Sequence, residues 1–189
     1  MTEKIEQMMS QMTDAEIRER LAEYMERDVT LRPPLIAVEV RMKPTYDASC
    51  RYDVLLIDEE GGETPVQFHD RYSRLLYIFT LLNPKGFQRR QASANHYSAL
   101  CHLYSQLYFR DSDALLRTID STDIKRPGQF LCQYVTQARR AIREASPLAE
   151  QFAIDRPQSN NGRLLIPFVS QGGTVIIDAS LLNNNMSNF

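Results

Sequence analysis

The chain has 189 residues, is 43% hydrophobic and 24% charged, and carries a formal net charge of −2. That length suits one medium domain with or without an appendage, and the balance is ordinary for a globular protein with a real core. No run approaches the ~20 apolar residues of a membrane helix, and the mixed-charge N-terminal stretch lacks the basic-then-apolar order of a secretory leader, so a cytoplasmic protein is expected. Cys50, Cys101 and Cys132 are odd in number and widely spaced, which argues for buried thiols rather than a disulfide framework. The charge is divided unevenly along the chain. Residues 1–70 hold 8 Lys/Arg and 16 Asp/Glu, whereas residues 71–163 hold 14 and 7. Such a division can present a cationic face to a polyanion while the acidic part points elsewhere or meets a protein.

Residues 2–28 read as a helical arm with Ile5, Met8, Met9, Met12, Ile17, Leu21, Tyr24 and Met25 on its apolar face. Thr13 to Glu16 matches a capping box, so a second helix is expected from Asp14. The near-heptad, Met-rich face suits either self-association or packing on the chain's own body. Leu31 to Pro34 leads rigidly into strands at 35–42 and 52–58, the second closed by the turn Glu59–Glu60–Gly61–Gly62 before a third strand at Thr64–Phe68. A small antiparallel sheet of three strands is expected. Arg71–Leu82 reads as a largely buried helix, closed by Asn83–Pro84–Lys85–Gly86. Ser93 or Asn95 can cap a further helix whose face includes Leu100, Leu103, Tyr104, Leu107 and Tyr108. Asp111 to Asp113 cap a short helical turn through Leu115, Leu116 and Ile119, and Asp120 to Pro127 read as a linker.

The stretch Gly128 to Pro147 is the most informative. Leu131, Val135, Ala138 and Ile142 recur at intervals of four, three and four, which gathers them into one narrow stripe of a helix. The opposite side carries Gln129, Gln133, Thr136, Gln137, Arg140 and Arg143, amide and guanidinium groups able to hydrogen-bond bases or phosphates in pairs. Beyond Pro147 the period becomes strand-like, with short strands at 152–154, 163–168 and 174–178 separated by the turn-rich segments 157–162 and 170–173. The expected organisation is an arm over residues 1–30, a domain over 31–180 and a frayed tail over 181–189.

Taken together, YDVLLIDEEGGETPVQF, RYSRLLYIFTLLNPKG, QYVTQARRAI and FAIDRPQSNNGRLLIPF stand in an order that resembles the winged-helix output domain of OmpR-type response regulators. The likeness spans about residues 35–178. It implies an α+β fold: a small antiparallel sheet, a three-helix core and a C-terminal β-hairpin wing, here with an N-terminal helical arm. The first two stretches are similar to the lead-in strands and first helix, and the last lies where that family has its wing. Val135, Thr136, Gln137, Ala138, Arg139, Arg140 and Ile142 hold the places of the recognition helix. Gln137 and Ala141 replace basic residues of the family's pattern, so this helix is less cationic. The segment 111–127 is longer than the loop that usually precedes it, with room for an extra helix. The first 34 residues are too few for a receiver domain, so no phospho-accepting Asp is expected in this chain.

The resemblance implies double-stranded DNA as partner and transcription regulation as role. Gln133, Thr136, Gln137 and Arg140 would face bases, Lys125, Arg126, Arg139 and Arg143 would touch phosphates, and Arg156 with Arg163 would arm the wing. The competing expectation is a protein-interaction adaptor on the same scaffold that does not bind DNA, with residues 1–28 as its docking or dimerisation surface. No catalytic residue, cofactor, metal ligand or membrane contact is expected. Both Gly pairs sit in expected hairpins rather than before a helix, and HExxH, CxxC and GxSxG are absent. His96, Cys101 and His102 project in different directions from one helix and cannot converge on an ion. His69, alone before a helix, is expected to hydrogen-bond rather than catalyse.

Overall fold

The computed structural model describes residues 19, 32–44, 50–88, 94–123, 128–155 and 163–182. The chain divides into two compact units, Met1–Pro34 and Leu35–Phe189. The arm helices expected over 2–28 lie outside the described residues. The second unit is α+β, with a small, mostly antiparallel sheet and several helices. Among the described residues, no helix is long and apolar enough to cross a membrane.

Strands β1 (Leu35–Met42) and β2 (Tyr52–Asp58) pair antiparallel with Val38 opposite Leu56 and Val40 opposite Val54. Period-two alternation buries these four against the core, while Glu39 and Arg41 take the other face. There the Arg41 guanidinium bridges the Glu39 and Glu63 carboxylates at 2.6 to 2.9 Å. The tip between β2 and β3 (Glu63–Pro65) is held by Asp58, whose carboxylate accepts from the Glu60 and Gly62 amides. The sheet has four strands rather than the expected three, because β6 (Thr174–Ile177) joins the free edge of β1 in parallel, giving the order β3-β2-β1-β6.

Helix α1 (Arg71–Leu81) starts at Asp70, whose side chain accepts the Tyr72 and Ser73 amides at 2.9 and 2.8 Å. Strand β4 (Phe87–Gln88) follows, then α2 (Ala94–Tyr108), α3 (Asp113–Asp123) and α4 (Gln129–Ala145). The helical turn expected through Ile119 is α3, which runs eleven residues, takes in 120–123 of the expected linker and fills the room for an extra helix in segment 111–127. Its Ser121 and Thr122 hydroxyls bond back to the Thr118 carbonyl and so are tolerated inside the helix. One hydrophobic cluster joins the inner sheet face to Leu75, Leu76, Ile78 and Phe79 of α1 and to Phe130, Leu131, Val135, Ala138 and Ile142 of α4.

After α4 the chain differs from expectation in three places. Residues 150–152 form a 3-10 turn, and 152–154 do not form the expected strand. Strand β5 is only Arg163–Leu164, because Pro167, well suited to a first helical turn, opens the short helix α5 (Pro167–Ser170). Leu181, placed in the expected tail, is buried in α6 (Ala179–Leu182), which Asp178 caps by accepting from the Ser180 amide at 2.9 Å. β5 and β6 do not pair with each other. β5 pairs antiparallel with β4, and the Asp155 amide donates to the Leu165 carbonyl at 2.7 Å, so the arms flanking 156–162 lie side by side.

The β4–β5 pairing needs a close backbone approach at Gly86, which has φ +65; a Cβ there would lie 2.7 Å from the Leu164 carbonyl oxygen. Gly86→Ala is therefore expected to cost about 1–3 kcal/mol from backbone strain alone. Urea denaturation would read this as a lowered midpoint at unchanged slope, and an unchanged midpoint would contradict it.

Candidate nucleic-acid interface

Helix α4 buries the whole stripe expected of it, together with Phe130 and Ala141, against α1. The stripe left exposed consists of Gln129, Gln133, Thr136, Arg140, Arg143 and Glu144. An aromatic hub fixes the near end of this helix. The Tyr72 ring on α1 lies 5.2 Å from Tyr134 and 5.7 Å from Phe130 of α4, and 6.1 Å from Tyr104 of α2. Its hydroxyl meets Thr118 of α3 at 3.1 Å, so one side chain ties all four long helices together.

The N-terminus of α4 is closed by a carboxylate from the preceding helix. Gly128, at φ +78, offers no side-chain cap. Asp123 instead accepts the Gly128 and Phe130 amides at 3.1 and 2.7 Å and the Tyr97 hydroxyl at 3.2 Å. A negative group there satisfies amides that a helix start leaves unpaired and complements its dipole. Burial, and then the Asp123 charge and hydrogen bond, push the Tyr97 phenol up to about 12.

The arginines of α4 are all engaged by acceptors. Arg140 Nε donates to Glu144 at 2.6 Å, one helical turn on. The second oxygen of Glu144 meets His69 Nε2 at 2.8 Å, so His69 hydrogen-bonds as expected. Arg143 donates through Nε and Nη2 to the two oxygens of Glu150 at 2.5 and 2.6 Å, and Arg139 Nη2 reaches the same carboxylate at 3.1 Å. Arg139 also donates to the Ile154 carbonyl, and its side chain is only 12% exposed. These bonds draw the Glu144 carboxyl below its ordinary range, with Arg140 the larger cause and His69 the next, and raise the Arg140 and Arg143 guanidiniums.

Of the ten residues singled out from sequence, Gln133, Thr136, Arg140 and Arg143 share the exposed stripe. Gln137 is half-buried beside it. Arg139 turns inward to the 150–154 segment. Arg163 is exposed on β5, with Nη2 3.4 Å from the Gly86 carbonyl. Lys125, Arg126 and Arg156 lie outside the described residues. Sequence reasoning missed three acidic partners. Glu144 was legible as the i,i+4 neighbour of Arg140; Asp123 and Glu150 act across breaks in the helix and left no such signal. Among the described residues, no group of three His, Cys, Asp or Glu is arranged to hold a metal ion. No protein-family model matches the chain, and comparisons with curated proteins and with solved structures return no match.

Asp123→Ala is expected to cost about 1–2 kcal/mol as the cap is lost. In the same variant the Tyr97 titration should move part of the way down toward the ordinary tyrosine value, because the Asp123 contribution is gone while that of burial remains. Spectrophotometric titration and urea denaturation check the two effects, and an unmoved Tyr97 would remove Asp123 from this role.

Proposed function

We propose that this is a non-enzymatic, cytoplasmic winged-helix protein that binds double-stranded DNA in transcription regulation. The observation that carries the reading is the exposed polar stripe of α4, held on α1 with its apolar side fully buried. An α-helix fits the major groove, and Gln, Thr and Arg are side chains that bond base edges and phosphates there. The order of elements supports the same reading. α4 is the last of the long helices, and the segments 153–155 and 163–165 that follow it, joined by the Asp155–Leu165 hydrogen bond with β4 alongside, are what this reading takes as its wing. Gln133, Thr136, Gln137 and Arg140 are the base-facing residues of this proposal. Lys125, Arg126, Arg139 and Arg143 are its phosphate contacts, and Arg156 and Arg163 its wing contacts. Dimerisation through residues 1–28 belongs to the same proposal.

A second reading, a protein-interaction adaptor on this scaffold without DNA binding, is favoured by the carboxylates that already engage Arg139, Arg140 and Arg143. Fluorescence titration of the full chain against random and selected duplexes separates the two. DNA binding through at least three phosphates should weaken about tenfold or more between ~50 and ~200 mM salt. Gln133→Ala should cost about 1–3 kcal/mol on a selected site and little on random duplex, whereas Arg143→Ala should weaken both alike. Absence of binding at ~50 mM salt would reject DNA as the partner and leave the adaptor.

A further inference from the structure

Arg143 grips the Glu150 carboxylate through two parallel N–H bonds, the same fork with which a guanidinium grips phosphate. Glu150 sits in the 3-10 turn just past Pro147 and also takes Arg139, while Glu144 takes Arg140. The carboxylates and the two outer guanidiniums are substantially exposed, at 61% for Glu150, 44% for Glu144, 46% for Arg143 and 72% for Arg140. Exposed ion pairs of this kind are individually weak and exchange partners readily. They are therefore strong enough to occupy the arginines and weak enough to be displaced.

We propose that Glu144 and Glu150 are internal stand-ins for phosphate that hold down the backbone affinity of α4, so that arbitrary duplex is bound too weakly to compete. This rests on the DNA-binding reading above. A duplex that offers only its backbone must exchange one anion for another at Arg143 and, with no matching base edge on offer, at Arg140 too, and it leaves a displaced carboxylate facing the phosphates. The net electrostatic gain from that exchange is small, and displaced carboxylates repel the backbone. A duplex that also hydrogen-bonds Gln133 and Thr136 gains contacts outside that exchange, and so binds in spite of it. The acidic residues thus lower affinity for all sequences by a similar factor. Random duplex falls out of the working range first, while base contacts keep a selected site within it.

The test compares wild type with Glu144→Gln and Glu150→Gln on random and on selected duplexes across a salt series, with thermal melts to confirm folding. Glu59→Gln, at the exposed β2–β3 tip, is the control for a change in net charge alone. Each variant is expected to bind random duplex about twofold to fivefold more tightly. Its salt slope should steepen by about 0.9 for each phosphate newly engaged. Selected duplex should tighten by a similar factor, and Glu59→Gln should change neither affinity nor slope. If Glu150→Gln disturbs the 3-10 turn and fails to fold, Glu144→Gln carries the test. Folded variants that bind random duplex no better than wild type, or no better than Glu59→Gln does, would overturn the proposal while DNA binding itself stands. If neither wild type nor variants bind any duplex at low salt, the DNA reading fails and this proposal with it.

Discussion

Helix α1 is buried at nine of its eleven residues, and that constraint organises the rest of the unit. A helix that apolar must be covered on every side, so its neighbours are not optional. Burial also leaves its polar groups dependent on internal partners. Asp70 caps its first turn, Thr80 bonds back to the Leu76 carbonyl, and the Tyr77 hydroxyl donates to the Phe152 carbonyl at 2.9 Å. Burial pushes the Tyr77 phenol well above its ordinary range, so this donor stays protonated at any physiological pH. The Tyr77 bond fixes where the chain lies after α4 and thereby brings Glu150 within reach of the α4 arginines.

The aromatic hub at the start of α1 has the complementary effect at the other end of α4. Tyr72 contacts Phe130 and Tyr134 within α4's first two turns, and Asp123 holds the amides of Gly128 and Phe130. Each end of α4 is thus fixed by a different element: the start by α1 and α3, the finish by the 150–154 segment. The exposed stripe between them stands on a helix whose position is set by packing rather than by any ligand. Preorganisation of that kind lets a polar surface recognise a partner without first paying to order itself.

How much of this could be read from the residues alone depends on the kind of interaction involved. The buried stripe of α4 was legible because helix packing repeats every 3.6 residues, and Leu131, Val135, Ala138 and Ile142 all lie in the core. The limits of α1 were legible for the same reason, with the Asn83–Gly86 turn as punctuation, whereas its Asp70 cap was not read in advance. Alternation reveals a strand but not its partner, so β6 was expected without its parallel place beside β1. The length of α3 was hidden because Ser121, Thr122 and Asp123 have the composition of a loop, although local hydroxyl bonds and a capping role suit them to a helix end. The hardest to foresee were Asp123 and Glu150, whose partners are brought to them by tertiary structure.

These carboxylates bear on what kind of recognition the stripe can perform. A helix start is ordinarily an anion site, but at α4 Asp123 already occupies it. The far end carries Arg139, Arg140 and Arg143 balanced by Glu144 and Glu150. The middle of the stripe is uncharged: the Gln133 amide, and the Thr136 hydroxyl, which donates to the Cys132 carbonyl at 3.2 Å and keeps its acceptor lone pairs. Neutral hydrogen-bonding groups contribute little long-range attraction and discriminate by direction and distance. Under the proposed reading, α4 would then draw its selectivity from base edges and only modest affinity from backbone charge. Under that reading, a chain of net charge −2 would recognise its site by fit rather than by attraction alone.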